Sequence, residues 1–287
     1  MTQVKMTSEF NYKSDNYDQQ SQRFVIPLYI KDELGDYEFS STGTLVKYKE
    51  NYYILFAAHV LDGNTEFDSI HTFGIDGQFH KIKNFAIGHQ IFKKQDIVIV
   101  DCFNRAIESK NYFNLDKKSL IGFEKKAFAW TGFPVSQSNF KKVHRSRTQE
   151  TLRDKYVYID ESGSYFRNAS YFTIISKIKT NNNIEITGKY ERKNANLKYQ
   201  GDVSTGPHPK GMSGGAMYYF AKNQVLKSSL DDTFRFAGIG IEYKKDSTIV
   251  GVPSFKIIAL IEIFNEDNPL QLTLDPSVEI KLEKIKT

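Results

Sequence analysis

From Phe24 onward the chain alternates short apolar runs with clusters of charged and turn-forming residues. The runs read RFVIPLYI, STGTLVKYK, NYYILFAAHVL, DIVIVDCF, KAFAWTGFP, SYFTIISKIKT, NIEITGKY, AMYYFA, FRFAGIGIEYK and STIVGVPS. They are rich in Ile, Val, Tyr, Phe and Thr, which suit a pleated and half-buried surface, so the pattern predicts many short strands. Helical periodicity is confined to Phe255–Asn265, FKIIALIEIFN, and to a short turn after His59. Many closely spaced strands with few helices predict an all-β sandwich or barrel. The stretch from Ser136 to Gly206 is the most polar interior region, and is expected to carry insertions that contact a substrate or partner. Residues 1–23 are polar and lack the apolar run of a secretory signal or membrane helix. They are expected to form a flexible leader.

Composition changes this picture little. With 40% hydrophobic and 25% charged residues over 287 positions, the chain reads as ordinary globular protein, long enough for one large β domain or two packed lobes. A single cysteine, Cys102, forbids an internal disulfide, and suggests a reducing, cytoplasmic setting. The net charge of +5 is a modest surplus. KKVHRSR, residues 141–147, is its one local concentration, and such runs are usually solvated surface, so neither nucleic acid nor membrane is expected as a partner. No HExxH, phosphate-binding loop or cysteine cluster is present, so no metal or organic cofactor is expected.

Three short stretches carry candidate chemistry. In HPKGMSGGAM, residues 208–217, Ser213 is flanked by Gly211, Gly214 and Gly215. A nucleophilic serine needs a tight turn whose backbone N–H groups face the oxygen that becomes negative in acyl transfer, and the N–H groups of Gly211 and Ser213 are suitably placed. Such a sequence also occurs in flexible loops. In ILFAAHVLD, residues 54–62, His59 closes an apolar strand behind two alanines, unlike the other five histidines, which lie among polar residues. A core or surface histidine is the ordinary alternative. In KKQDIVIVD, residues 93–101, Asp96 precedes four β-branched residues, where an imidazole N–H could satisfy its carboxylate. A turn residue is the ordinary alternative there, and Asp101, at the other end of the strand, is the fallback acid.

The chain order His, Asp, Ser is that of one known catalytic arrangement. With FAAH, DIVIV and GMSGG as local motifs, the chain resembles the trypsin-like, chymotrypsin-fold serine peptidases, and in its cysteine-poor style the bacterial intracellular members. STGTLV (41–46), WTGFP (130–134) and FAGIGIEY (236–243) resemble further segments of that family, and the likeness spans about residues 24–265. It implies two packed six-stranded antiparallel β-barrels, about 24–125 and 126–265, with a C-terminal helix and a tail at 266–287. It also implies a serine endopeptidase with His59 as base, Asp96 as its orienting acid, Ser213 as nucleophile, and the Gly211 and Ser213 N–H groups as oxyanion hole. Ile239, Gly240, Ile241 and Glu242 would pair with a peptide or protein substrate. Some intracellular members of the family act beside a sensor protein in stress or phage defence, so a regulatory protein partner is a further implication. A catalytically inactive binding module on the same fold is the alternative.

Two departures limit what carries over. Met212 stands where cleavage-activated members have an aspartate, so no activating N-terminal cleavage of that kind is expected. Pro207 stands where lysine- and arginine-directed members have a pocket aspartate, so their preference is not expected either.

Overall fold

The apolar runs form two antiparallel sheets. The structure is a computed structural model that describes residues 2–6, 10–14, 20–63, 65–137, 142–144, 146–160, 163–166, 171–193, 197–199, 202–204 and 206–267. The first sheet contains β1 (Val25–Lys31), β2 (Tyr37–Tyr48), β3 (Asn51–Ala57), β4 (Ile70–Phe73), β5 (Phe79–Lys81), β6 (Gly88–Phe92) and β7 (Ile97–Asp101), in the spatial order β5-β4-β1-β2-β3-β7-β6. The second contains β8 (Ala127–Gly132), β9 (Phe172–Lys177), β10 (Thr180–Asn181), β11 (Ile186–Lys189), β12 (Gly215–Phe220), β13 (Phe234–Tyr243) and β14 (Thr248–Pro253), in the order β9-β8-β12-β13-β14-β11-β10. Both curl into half-barrels, so the all-β double-barrel expectation holds, with seven strands along each path instead of six. This architecture is compatible with a chymotrypsin-like fold.

The strands read as continuous apolar runs because both of their faces are buried. In β3, Tyr53 and Leu55 enter the core shared between the sheets, while Ile54 and Phe56 fill the first barrel. Strand β7 repeats the division, with Ile97 and Ile99 on the shared side and Val98 and Val100 inside. In β12, Ala216, Tyr218 and Phe220 face the shared core, and Met217 and Tyr219 face the second barrel. The period of two is intact, but both of its phases are apolar.

Helix α1 (Gln149–Tyr156) lies in the polar middle region, where it follows the N-cap Thr148. Strands β9, β10 and β11 of the second sheet also come from that region, so the insertion relative to the sheet is smaller than Ser136–Gly206. Helix α2 (Ser254–Asp267) contains the expected Phe255–Asn265. It buries Ile257, Leu260, Ile261 and Phe264, one helical stripe, against the shared core. Glu262 accepts a hydrogen bond of 2.6 Å from Tyr48 of β2, which ties the helix to the first sheet. The tail at 268–287 lies outside the described residues.

The leader needs correction. Gln20, Ser21, Gln22 and Arg23 are buried; Arg23 Nε donates to Gln20 Oε1 at 2.6 Å, and Ser21 Oγ lies 3.1 Å from Thr131 Oγ1 of β8. Farther back, Thr2–Met6 and Phe10–Ser14 pair as antiparallel strands. Among the described residues no helix is long and apolar enough to cross a membrane.

Candidate active site

Strand β3 ends at Ala57, and a 3-10 turn over Ala58–Leu61 carries His59 off its end. Pairing of Ala57 with Ile97 brings the start of β7 alongside, and the Ala58 N–H donates to Asp96 O at 3.1 Å. Asp96 is left-handed (φ 54°), a conformation that Asp tolerates better than most residues. Its carboxylate turns onto His59 twice. Oδ1 accepts the His59 backbone N–H at 2.7 Å, and Oδ2 lies 2.7 Å from Nδ1. A carboxylate at Nδ1 holds the proton there and leaves Nε2 as the basic nitrogen.

The Asp96 hydrogen bond raises the His59 pKa above its ordinary value; burial opposes it, and the charges of Asp96, Asp62 and Glu242 add to it. Glu242 is exposed on β13, and its charge acts on His59. The His59 side chain is 43% exposed, so its open side faces solvent. The fallback acid is excluded by register: Asp101 pairs with Tyr53, at the opposite end of β3 from His59. It is fully buried, accepts the Phe103 N–H at 2.6 Å, and burial pushes its pKa up to about 6.

Ser213 lies in the turn that enters β12. Gly211 (φ 94°) and Gly214 (φ 84°) are both in the region that side chains disfavour. Gly214 has a second reason to be glycine: a Cβ there would stand 2.1 Å from Thr42 O and 3.1 Å from Ala57 N, the strand end that carries His59. The other sheet holds three of its carbonyls. Thr42 N–H donates to Ser213 O at 3.1 Å, Thr42 Oγ1 to Gly211 O at 2.9 Å, and Thr44 Oγ1 to Gly214 O at 2.7 Å. On its own side, Gly214 N–H donates to Gly240 O at 2.8 Å. Among the described residues the N–H groups of Gly211 and Ser213 have no acceptor. The Ser213 hydroxyl donates to Ile241 O at 3.0 Å.

Ile239, Gly240, Ile241 and Glu242 follow one another on β13. Ile239 is buried in the shared core, Gly240 lies against the Trp130 indole, and a bulge falls between Gly240 and Glu242. Thr42 and Thr44, which tie the serine turn to the first sheet, were not singled out by their sequence. In the basic stretch, Lys142 pairs with Asp32 at 3.3 Å and His144 Nδ1 lies 3.0 Å from Asp36, which compensates part of its charge; Lys141 and Arg145 lie outside the described residues. Among the described residues no group of three or more His, Cys, Asp or Glu could hold a metal ion. No protein-family model matches the chain, and no curated protein matches it in sequence.

Proposed function

We propose that the chain is a serine endopeptidase in which Ser213, His59 and Asp96 act together. The observation that carries this reading is the Asp96 carboxylate, which engages both the His59 N–H and Nδ1 and so fixes ring and tautomer, at a strand end against which Gly214 presses the serine turn. Ser213 Oγ attacks a peptide carbonyl and forms the C–O bond as its proton passes to His59 Nε2. The intermediate collapses with cleavage of the C–N bond, and Nε2 gives its proton to the departing amine. Water, deprotonated by the same nitrogen, then hydrolyses the acyl ester. Asp96 stays ionised and stabilises the imidazolium, and the Gly211 and Ser213 N–H groups receive the oxyanion. Turning the Ser213 hydroxyl from Ile241 O toward the imidazole is a side-chain rotation of the kind expected when an unliganded site engages its substrate.

A second reading, an inactive binding module, is favoured by that same Ser213 to Ile241 hydrogen bond, which directs the hydroxyl to a carbonyl. Labelling with an alkyl fluorophosphonate, followed by peptide mapping, separates the two. A peptidase is labelled at Ser213, and the Ser213→Ala and His59→Ala variants are not. A folded protein that stays unlabelled would favour the binding module.

A further inference from the structure

The leading end of the serine turn is built against a wall of aromatic and cationic side chains. Tyr190 OH donates to Pro207 O at 3.1 Å, and Tyr243 OH donates to Tyr190 O at 3.0 Å. The His208 ring meets Tyr243 edge-on, with centroids 5.6 Å apart. Arg192 Nε donates to Gly206 O at 2.9 Å, which anchors one edge of its guanidinium to the same turn. These groups adjoin the nucleophile by two routes. His208 is in the Ser213 turn, and Tyr243 follows closely in β13 after Ile241, whose carbonyl accepts the Ser213 hydroxyl.

The wall offers donors and positive charge. His208 Nδ1 accepts the Lys210 N–H at 3.1 Å, so the ring proton resides on Nε2, which has no acceptor among the described residues. Burial, with Arg192 and Lys210 nearby, lowers the His208 pKa and favours the neutral donor form. Neither Arg192 nor Lys210 has a carboxylate partner among the described residues, and Pro207 supplies no charge of its own. Beneath, Trp130 packs in the same apolar cluster as Tyr190 and Met212. Its buried Nε1 is pressed against Gly240 and also lacks an acceptor among the described residues.

We infer that this wall receives an acidic side chain, Glu or Asp, at the residue whose carbonyl Ser213 attacks. The inference rests on the peptidase reading and adds its substrate class. A carboxylate supplies what the wall lacks: an acceptor for His208 Nε2–H and for the free guanidinium edge of Arg192, each a charge-assisted bond. A lysine or arginine side chain would meet like charge and leave the donors unpaired.

The test treats the full chain with peptidyl diphenyl phosphonates that differ only in the side chain at phosphorus: Glu, Asp, Gln, Ala, Phe and Lys. An alkyl fluorophosphonate is run in parallel. The acidic probes should label Ser213 about 10- to 100-fold faster than Ala, with Lys slowest. The acidic-to-Ala ratio should fall in Arg192→Gln and in His208→Ala, and should shrink in high salt. Use of a ratio divides out any general loss of reactivity, and the wild-type comparison needs no variant to fold. Fastest labelling by Ala, Phe or Lys, or a ratio unchanged in both variants, would overturn the inference while alkyl labelling leaves the peptidase reading standing. Absence of label from every probe would overturn both.

Discussion

Replacing Thr42 by valine isolates the clip between the sheets, because the side chain keeps its shape and loses only the hydroxyl. Thr42 is fully buried, and its Oγ1 serves two partners: it donates to Gly211 O at 2.9 Å and accepts the Phe133 N–H at 3.0 Å. Valine takes one hydrogen bond from each of these two buried backbone groups, at about 1–3 kcal/mol each, or roughly 2–6 kcal/mol together. At about 2–4 °C per kcal/mol for a chain of this size class, thermal unfolding should fall by roughly 4–24 °C. Thr44→Val releases only Gly214 O, and should cost about half as much. Thr42→Ser keeps the hydroxyl and should retain most of the stability. The Gly211 carbonyl also sets the direction of the peptide that leads into Ser213, so loosening it should slow fluorophosphonate labelling about tenfold, less than outright loss of an oxyanion donor. Calorimetry and timed labelling of the three variants make the test. A Thr42→Val protein that melts within about 2 °C of wild type and labels at the wild-type rate would show that the hydroxyl clip does not hold the turn.

Two further predictions concern protons. Labelling of Ser213 needs a neutral His59, so its rate should fall as pH drops through a midpoint above the ordinary imidazole value of 6.5, and that midpoint should move down in Glu242→Gln, read from pH-rate profiles. Asp101 keeps its proton in the folded state up to about pH 6, against 3.8 when exposed, so wild-type stability should decline as pH rises from about 4 to 6 by up to about 3 kcal/mol from this group. Asp101→Asn should flatten that decline in denaturant titrations, and an unchanged slope would refute the assignment.

The double-sheet fold was legible because strands buried on both faces become unbroken apolar runs, as ILFA and IVIV show. The geometry of His59 and Asp96 was legible for a related reason, since each lies at the end of such a run and β3 pairs with β7. What escaped depends on polar groups whose use is decided far away in sequence. Gln20–Arg23 reads as solvated leader, because composition does not distinguish a polar residue in water from one bonded inside. Thr42 reads as an ordinary strand residue, since the carbonyl it binds lies 169 positions away. His208 reads as a loop histidine until Tyr243 is seen against its ring. Glu242 was placed beside the substrate by the resemblance of FAGIGIEY to a family segment, and nothing in that stretch announced that its charge also acts on His59.

The serine turn belongs by sequence to the second sheet, yet three of its carbonyls, on Gly211, Ser213 and Gly214, are held by Thr42 and Thr44 of the first. Its positive-φ glycine at 214 is packed against the strand end that carries His59. Three of the hydrogen bonds that set the geometry around Ser213 therefore form only while the two sheets are docked. Weakening of the shared core should erode this geometry before either sheet loses its own ladder of hydrogen bonds, because the clip has three cross-sheet bonds to the turn while each sheet retains its full strand pairing. A partner that bound across both sheets would stabilise the docked state by mass action, and could act on the site without touching it.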